Sequence, residues 1–125
     1  MAPGAGKLVV LVVDDEPAIR LLCRVNLELA GYEVREAGRI GDARSLVEEG
    51  GVNIVLLDMH VGTERSDVFL EELIEQQMPV AVVTGSAEIE AVRATGADAV
   101  LAKPFTIEDL DATVARLAEL SASRL

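Results

Sequence analysis

Acidic residues stand directly after two of the apolar runs in this sequence. Asp14 and Asp15 follow the first run, and Asp58 follows the third. Carboxylates brought together in a low dielectric repel one another unless a cation lies between them. Oxygen ligands without cysteine nearby suit Mg²⁺, and the lone His60 beyond Asp58 does not make a zinc site. The acids therefore predict a magnesium site.

Two further apolar runs end in groups that bind phosphate oxygens. Thr84 and Gly85 follow the fourth run, and Lys103 follows the fifth. An ammonium, a hydroxyl, a backbone N–H and a metal can together hold a phosphoryl group. One carboxylate would then be the nucleophile that forms an aspartyl phosphate. We predict Asp58 for this role because it stands alone after the central run, with the Asp pair holding the metal.

Each of these motifs has a common structural interpretation when it is taken alone. An Asp pair after a strand is more often a turn or a helix cap, and Thr-Gly is ordinary loop sequence. Lys-Pro-Phe, at residues 103–105, is usually a surface turn. Their combination at four of five predicted strand ends, in the required order, favours a phosphoryl-binding site.

The elements that must position these groups are five short apolar runs separated by amphipathic segments. The runs cover residues 7–13, 32–36, 52–57, 79–83 and 99–102. Four are nearly continuous in Val, Leu, Ile and Ala, as in strands covered on both faces, whereas the second alternates and predicts an edge strand. The alternation predicts an α/β fold of the (βα)5 type, with a doubly wound, parallel five-stranded sheet. Ligands of such sheets bind beyond the carboxyl ends of the strands.

The amphipathic segments between the runs have helical spacing. The first helix is predicted to bury Ile19, Leu22, Cys23 and Leu29 and to stop at Gly31. In the last helix, Thr106 is the predicted N-cap, and the apolar face comprises Ile107, Leu110, Val114 and Leu117. Shorter helices are predicted near residues 41–49, 67–76 and 87–95.

Composition narrows the class of protein further. A length of 125 residues predicts one domain, residues 1–125. The net charge of −11 argues against nucleic-acid binding and favours a cation or a basic partner. No apolar run reaches the length of a membrane span, and acids follow the first run where a signal peptide would have a cleavage site, so no membrane association is expected. The single Cys23 fits a reducing, cytoplasmic location.

The motifs VVDDEP, LLDM, VVTGS and GADAVLAKPF resemble the receiver domain of bacterial response regulators over essentially the whole chain. The resemblance implies the strand order 2-1-3-4-5. It also implies that Asp58 accepts phosphate from the phosphohistidine of a histidine kinase or a histidine phosphotransfer protein, and that an unknown downstream protein reads the result. We expect a signalling protein rather than an enzyme, with only intrinsic Mg²⁺-dependent phosphorylation and dephosphorylation.

The resemblance also implies a role for each site residue. Asp15 would ligate Mg²⁺ directly, Asp14 largely through water, and Asp58 and the backbone carbonyl of His60 would complete the protein ligands. Thr84 and Lys103 would contact the phosphoryl oxygens, beside the Gly85 amide. The Lys103–Pro104 peptide bond is often cis in this family.

Several positions depart from the usual pattern of receivers. Gly62 and Ser66 stand where Pro and Gly are usual, and Val100 replaces the aromatic residue that normally swings inward during switching. With these departures the chain resembles the FATGUY subclass of receivers, which is named for a Phe-Ala-Thr-Gly-aromatic motif. Many receivers of this subclass are single-domain proteins. That match is partial, since Val82, Val83 and Ser86 replace the two first residues and the aromatic. We therefore expect switching through the ordering of residues 85–95.

The same residues also bear on two other functions. An aspartate-nucleophile phosphatase of the haloacid dehalogenase type needs a second acid two residues after the nucleophile, where this chain has His60. An interaction module that ignores phosphate usually loses one of the acids or the lysine, and all are present here. A DNA-binding regulator is not expected, because nothing follows residue 125 to contact DNA. A free-standing chain is expected from its start at Met1.

Overall fold

The computed structural model describes residues 7–85, 88–93 and 95–124. Strands and helices alternate along these residues, with two very short strands after the third strand. The elements are β1 (Val9–Val13), α1 (Pro17–Leu29), β2 (Glu33–Ala37), α2 (Ile40–Glu49), β3 (Ile54–Asp58), β4 (His60–Val61), β5 (Glu64–Arg65), α3 (Asp67–Glu75), β6 (Val80–Gly85), α4 (Ile89–Arg93), β7 (Ala99–Lys103) and α5 (Ile107–Ser123).

The main sheet has five parallel strands in the order β2-β1-β3-β6-β7. This is the predicted order 2-1-3-4-5, because β4 and β5 form a separate two-stranded hairpin. The prediction of an edge strand near residues 32–36 is confirmed in β2. The antiparallel β4–β5 hairpin was not predicted, and Gly62 provides its turn with a φ of +64°.

Helices cover both faces of this sheet. All five residues of β1 and of β3 are buried, and alternate side chains point to opposite faces. Leu11 and Leu57 pack with residues of α2 and α3, whereas Val12 and Leu56 pack with residues of α1 and α5. The continuous apolar runs therefore mark strands with two covered faces, as the sequence predicts.

The predicted buried face of α1 is partly wrong. Cys23 and Leu27 are the buried residues of this helix, whereas the side chains of Leu22 and Leu29 are 39% and 82% exposed. Cys23 and Leu27 lie four residues apart and share one stripe of the helix, while Leu29 lies about 200° around the axis from Leu27. Gly31, with a φ of +101°, follows the end of the helix as predicted.

The predicted start of α5 is confirmed. The Thr106 hydroxyl accepts the Asp109 N–H at 3.0 Å, and the Asp109 carboxylate accepts the Thr106 N–H at 3.4 Å. This reciprocal pair caps the helix and satisfies two backbone donors. The buried face of α5 comprises Leu110, Val114, Leu117 and Ser121.

The fourth helix is short. In the described residues α4 has five residues, about one and a half turns, compared with the predicted segment 87–95. Residues 86, 87 and 94 of the predicted switching segment lie outside the described residues. In the part of the chain that the structure describes, no helix has both the length and the apolar character needed to cross a bilayer.

Candidate phosphoryl and metal site

The parallel sheet brings the predicted site residues to one edge. In the strand register Asp58 pairs with Val83, so Thr84 and Gly85 extend just beyond it on the neighbouring strand. Gly85 in turn pairs with Lys103 on β7. The carboxyl ends of β1, β3, β6 and β7 therefore lie at one edge of the sheet, as expected for this type of sheet.

Three carboxylates lie together at this edge. One oxygen from each of Asp14, Asp15 and Asp58 lies within 4.8 Å of the others. Asp14 and Asp58 are only 2% and 8% exposed, whereas Asp15 is open to solvent. The Asp14 carboxylate is also oriented by the Glu16 N–H, which donates to its Oδ1 at 2.9 Å. Two acids are thus fixed inside the protein, and the third faces the entrance.

Lys103 joins the two buried acids. Its ammonium nitrogen lies 3.1 Å from Asp14 Oδ2 and 3.2 Å from Asp58 Oδ2. Burial raises the pKa of the Asp58 carboxyl, and repulsion from Asp14 adds to this, although Lys103 opposes it. Burial lowers the pKa of Lys103, but attraction to Asp58 and Asp14 outweighs it, so the lysine pKa is raised overall. The ammonium therefore stays charged and neutralises only part of the acid cluster.

The donor set of this site fits a divalent magnesium ion. Three carboxylates face one ammonium, so an excess of negative charge remains for a cation. Oxygen donors without thiolate favour Mg²⁺ over transition metals. The backbone of His60 also turns toward the site, because its N–H donates to Asp58 Oδ1 at 3.3 Å. Asp14, Asp15, Asp58 and the His60 carbonyl are the groups that could hold the metal.

The groups predicted to contact phosphoryl oxygens stand at the ends of β6 and β7. Thr84 is buried at the end of β6, and Gly85 beside it is exposed. The Lys103–Pro104 peptide bond is cis, in agreement with the resemblance to receivers. Thr84, Gly85 and Lys103 thus lie on two adjacent strands at the same edge as Asp58.

Ser66 is a residue of this site that the sequence identified only as a departure from the family pattern. Its hydroxyl is fully buried and donates to the Asp58 backbone carbonyl at 2.6 Å. Its own N–H donates to the Met59 carbonyl at 3.0 Å. A glycine at this position would lack the first of these bonds. Ser66 therefore fixes the loop that carries Asp58 to the start of α3.

Arg20 is a second residue that sequence reasoning missed. One guanidinium nitrogen donates to the Asp14 backbone carbonyl at 2.7 Å, and another donates to Glu36 at 3.1 Å. The side chain thereby ties the end of β1 to α1 and β2. Nothing in the spacing of the sequence distinguishes Arg20 from an ordinary exposed arginine on a helix.

The β4–β5 hairpin is linked to the residue before α4 through a polar cluster that we call the hairpin clasp: His60, Arg65 and Glu88. A ring nitrogen of His60 lies 3.0 Å from Glu88 and 3.3 Å from Arg65. Arg65 also pairs with Asp67 at 2.8 Å. The clasp connects the loop after Asp58 to the segment after Thr84, across 28 residues of sequence.

Comparison with known proteins agrees with this geometry. The model of one protein family, the response regulator receiver domain, matches residues 10–115. The chain is 34% identical over 122 residues to the NtrX-like response regulator of Rickettsia conorii, covering 92% of this chain and 26% of the relative. It is 32% identical over 116 residues to the phosphate regulon transcriptional regulatory protein PhoB of Pseudomonas aeruginosa, covering 86% of this chain and 49% of the relative.

A solved structure extends the similarity to the whole fold. The CheY-like response regulator receiver domain protein of Methanospirillum hungatei is 30% identical, with a TM-score of 0.83. That match covers 94% of this chain and 99% of the solved one. The chain spans about a quarter to a half of the length of the curated relatives named above.

Proposed function

Because this chain belongs to the response regulator receiver domain family, we propose that it is a phosphoacceptor of a two-component system or phosphorelay, modified on Asp58. The observation that carries the proposal is the Lys103 ammonium, placed between the buried Asp14 and Asp58 in a cluster of three carboxylates. This arrangement leaves a nucleophilic carboxylate beside a fixed cation. Asp58 also lies at the carboxyl end of the central strand β3, where ligands of parallel sheets bind.

The proposed reaction is transfer of a phosphoryl group from the phosphohistidine of a histidine kinase or histidine phosphotransfer protein. An Asp58 carboxylate oxygen forms a bond to phosphorus as the phosphorus–nitrogen bond of the donor breaks. The bonding electron pair stays on the imidazole nitrogen of the donor, and an aspartyl phosphate is formed. Lys103, the Thr84 hydroxyl and the Gly85 N–H stabilise the charge on the phosphoryl oxygens.

Asp14, Asp15, Asp58 and the His60 carbonyl are the proposed ligands of Mg²⁺. When bound, Mg²⁺ neutralises charge on the transferring phosphoryl oxygens. Asp14 and Asp15 serve to hold positive charge next to Asp58, and burial fixes the orientation of the Asp14 carboxylate. Asp15, which is exposed, is the acid that an entering ion meets first.

We further propose that the chain belongs to the FATGUY subclass. Val100 offers no ring for the usual aromatic switch, and α4 has five residues in the described part of the chain. The signal then passes from the site through Thr84 and Gly85 to the segment that follows. Phosphorylation makes this segment more ordered. A beryllofluoride mimic of the phosphoryl group should slow amide exchange in residues 88–93. Equal exchange with and without the mimic would reject this route.

The central experiment is phosphorylation by a small donor. The chain is incubated with Mg²⁺ and acetyl phosphate, and intact mass is measured for a gain of one phosphoryl group. Asp58→Asn should abolish the gain, and Asp42→Asn, a change at an exposed aspartate of α2, should leave it intact. A mass gain that survives in Asp58→Asn would overturn the assignment of Asp58.

A further inference from the structure

Arg20 stands in the first turn of α1, next to the loop that carries the acid pair. Its own N–H donates to the Glu16 carbonyl at 3.1 Å, which places it on the turn of helix directly after Asp14 and Asp15. Helical side chains lean toward the amino end of their helix. The Arg20 side chain therefore reaches back over six residues, and its guanidinium donates to the Asp14 backbone carbonyl at 2.7 Å.

The guanidinium of Arg20 is also held from the side of β2. Another of its nitrogens donates to Glu36 Oε1 at 3.1 Å, and the side chain is only 20% exposed. A Cβ built at Gly38 would lie 3.0 Å from the same nitrogen that bonds Asp14. Gly38 has no positive φ that would itself require glycine. The missing side chain at this position therefore leaves the space in which the guanidinium lies.

The two acids of the pair are held very differently. The Asp14 N–H donates to the Ala37 carbonyl at 3.1 Å, and its carboxylate contacts Lys103 at 3.1 Å. Asp15 is exposed, and its side chain makes no hydrogen bond or ion pair with any other residue that the structure describes. The direction of the Asp15 side chain therefore depends on its backbone. The planar peptide between residues 14 and 15 contains the carbonyl that Arg20 holds.

We propose that Arg20 is a positioning residue of the magnesium site, and that it acts by fixing the peptide plane from which Asp15 projects. The inference rests on the proposed metal site, and it adds a role for a residue whose polar partners are a backbone carbonyl and Glu36. Without the bond to Asp14, this peptide can rotate, and Asp15 spends less time directed toward the other carboxylates. Groups that orient metal ligands in this way commonly contribute roughly 10–100-fold to metal affinity.

The charge of Arg20 predicts the opposite effect on metal binding. A positive group near three carboxylates repels an arriving cation, so its removal should strengthen Mg²⁺ binding if only charge matters. Removal of the hydrogen bond to Asp14 should weaken binding, because Asp15 is no longer held in the direction of the site. The sign of the change in Kd therefore separates a positioning role from a purely electrostatic one.

Arg24 provides a matched control one turn further along α1. Its Nε donates to the other carboxylate oxygen of Glu36 at 2.6 Å, and the side chain also pairs with Glu28 at 3.4 Å. In the described part of the chain it makes no bond to Asp14. Arg24→Met therefore removes the same charge and a contact to the same acid, Glu36, while the bond from Arg20 to Asp14 stays in place.

The test measures Mg²⁺ binding to the full chain by titration of amide NMR resonances. We expect Arg20→Met to raise the Kd for Mg²⁺ by roughly tenfold, and Arg24→Met to leave it unchanged or to lower it. A metal-free readout uses the Glu16 N–H, which donates to Asp14 Oδ1. Its hydrogen exchange should be faster than in the wild type in Arg20→Met and unchanged in Arg24→Met.

A second variant leaves Arg20 and its charge in place. Gly38→Ala puts a methyl group 3.0 Å from the guanidinium nitrogen, so the side chain must move by about a few tenths of an ångström and its bond to Asp14 is disturbed. The Kd should rise severalfold, less than in Arg20→Met. Gly41→Ala is the control, because a Cβ there meets nothing within 4 Å, and its Kd should equal that of the wild type.

Three outcomes would overturn the proposal. The first is a Kd that is unchanged or lowered in Arg20→Met, which would leave Arg20 a structural or purely electrostatic role. The second is an equal rise of the Kd in Arg24→Met, which would assign the effect to Glu36. Both reject this inference alone if Asp58 still gains a phosphoryl group by intact mass. The third is absence of Mg²⁺ binding by the wild type, which would remove the proposed metal site as well. Should Arg20→Met fail to fold, equal Kd values for Gly38→Ala and Gly41→Ala would overturn the proposal.

Discussion

The two sides of the phosphoryl and metal site differ in how firmly the protein holds them. On the side of the acids, β1 and β3 are buried along their whole length, and Arg20 and Ser66 fix the backbone at Asp14 and Asp58. On the side of the phosphoryl-binding groups, β6 is buried up to Thr84, but β7, which carries Lys103, is an edge strand in which only Leu101 is buried. The helix next to it, α4, has five residues in the described part of the chain.

This difference separates two tasks. Repelling carboxylates must be held in place before any cation arrives, and this requires the most buried part of the sheet. The groups that respond to a phosphoryl group must change position, and short helices with few tertiary contacts can do so at low cost. In the proposed function, the firmly held acids would carry the chemistry, and the side with β7 and α4 would transmit the result.

The largest expected effect comes from Lys103→Ala. Removing the ammonium should slow phosphorylation of Asp58 by roughly 100-fold or more, as loss of one preorganised donor does in other sites. Affinity for Mg²⁺ should be kept or increased, because the cation that competes for Asp14 and Asp58 is gone. Phosphorylation is measured by intact mass and metal binding by calorimetry, with Lys7→Ala as the control. A parallel loss of metal affinity would show that the lysine mainly maintains the structure.

The second largest effect is expected at Ser66, which holds the loop after Asp58. Ser66→Ala should lower the free energy of unfolding by about 1–3 kcal/mol, because the buried Asp58 carbonyl loses its hydrogen bond. Ser45→Ala removes a comparable hydroxyl bond on the exposed surface of α2 and should cost much less. Urea denaturation measures both variants. Equal losses in the two would mean that Ser66 does not hold the Asp58 loop.

A smaller effect concerns the charge of Asp58. Burial raises the pKa of Asp58 in the folded protein above its ordinary value of 3.8. The protonated carboxyl therefore favours the folded state. This contribution to the free energy of unfolding is complete below pH 3.8 and is lost as the pH rises through the pKa of the folded protein. With a chelator present, Asp58→Asn should therefore be more stable than the wild type at neutral pH. The difference should shrink as the pH falls below the ordinary pKa of the carboxyl. Thermal denaturation as a function of pH measures this, and a less stable variant at neutral pH would contradict it.

The smallest expected effect concerns the hairpin clasp. Glu88→Gln should change the free energy of unfolding by only about 0.2–1 kcal/mol, because the pair with His60 is exposed. It should nevertheless reduce the difference in amide exchange of residues 89–93 between the free protein and its beryllofluoride complex. Glu90→Gln, a matched change in the first turn of α4, serves as the control. An unchanged exchange difference would mean that the clasp does not connect the two sides.

Much of the fold and the convergence of the site could be predicted from the sequence. Parallel strands bring their carboxyl ends to one edge, so the positions of Asp14, Asp58 and Lys103 after apolar runs were enough to place them together. The edge position of β2 and the capping of α5 by Thr106 followed from alternation and local spacing. These features depend on periodicity or on contacts between near neighbours in sequence.

The features that could not be predicted depend on packing between distant residues. The bond from Ser66 to the Asp58 carbonyl and the pair of His60 with Glu88 have no periodic signal. The prediction of the buried face of α1 is partly wrong because four leucines and a valine are distributed around this helix. Tertiary packing decides which of them are buried. The β4–β5 hairpin replaces an expected loop, and strands of two residues carry no recognisable pattern.

Both borders of the main sheet are protected against the addition of foreign strands. On β2, Glu33 pairs with Arg35 at 3.6 Å, so charged side chains flank the open row of backbone groups. On the opposite border, β7 is followed by Pro104, which has no N–H to offer another chain. Charge and proline are devices by which proteins resist amyloid-like stacking through open sheet edges. A domain whose core is mainly aliphatic thus carries, at both borders of its sheet, features that oppose polymerisation through strand addition.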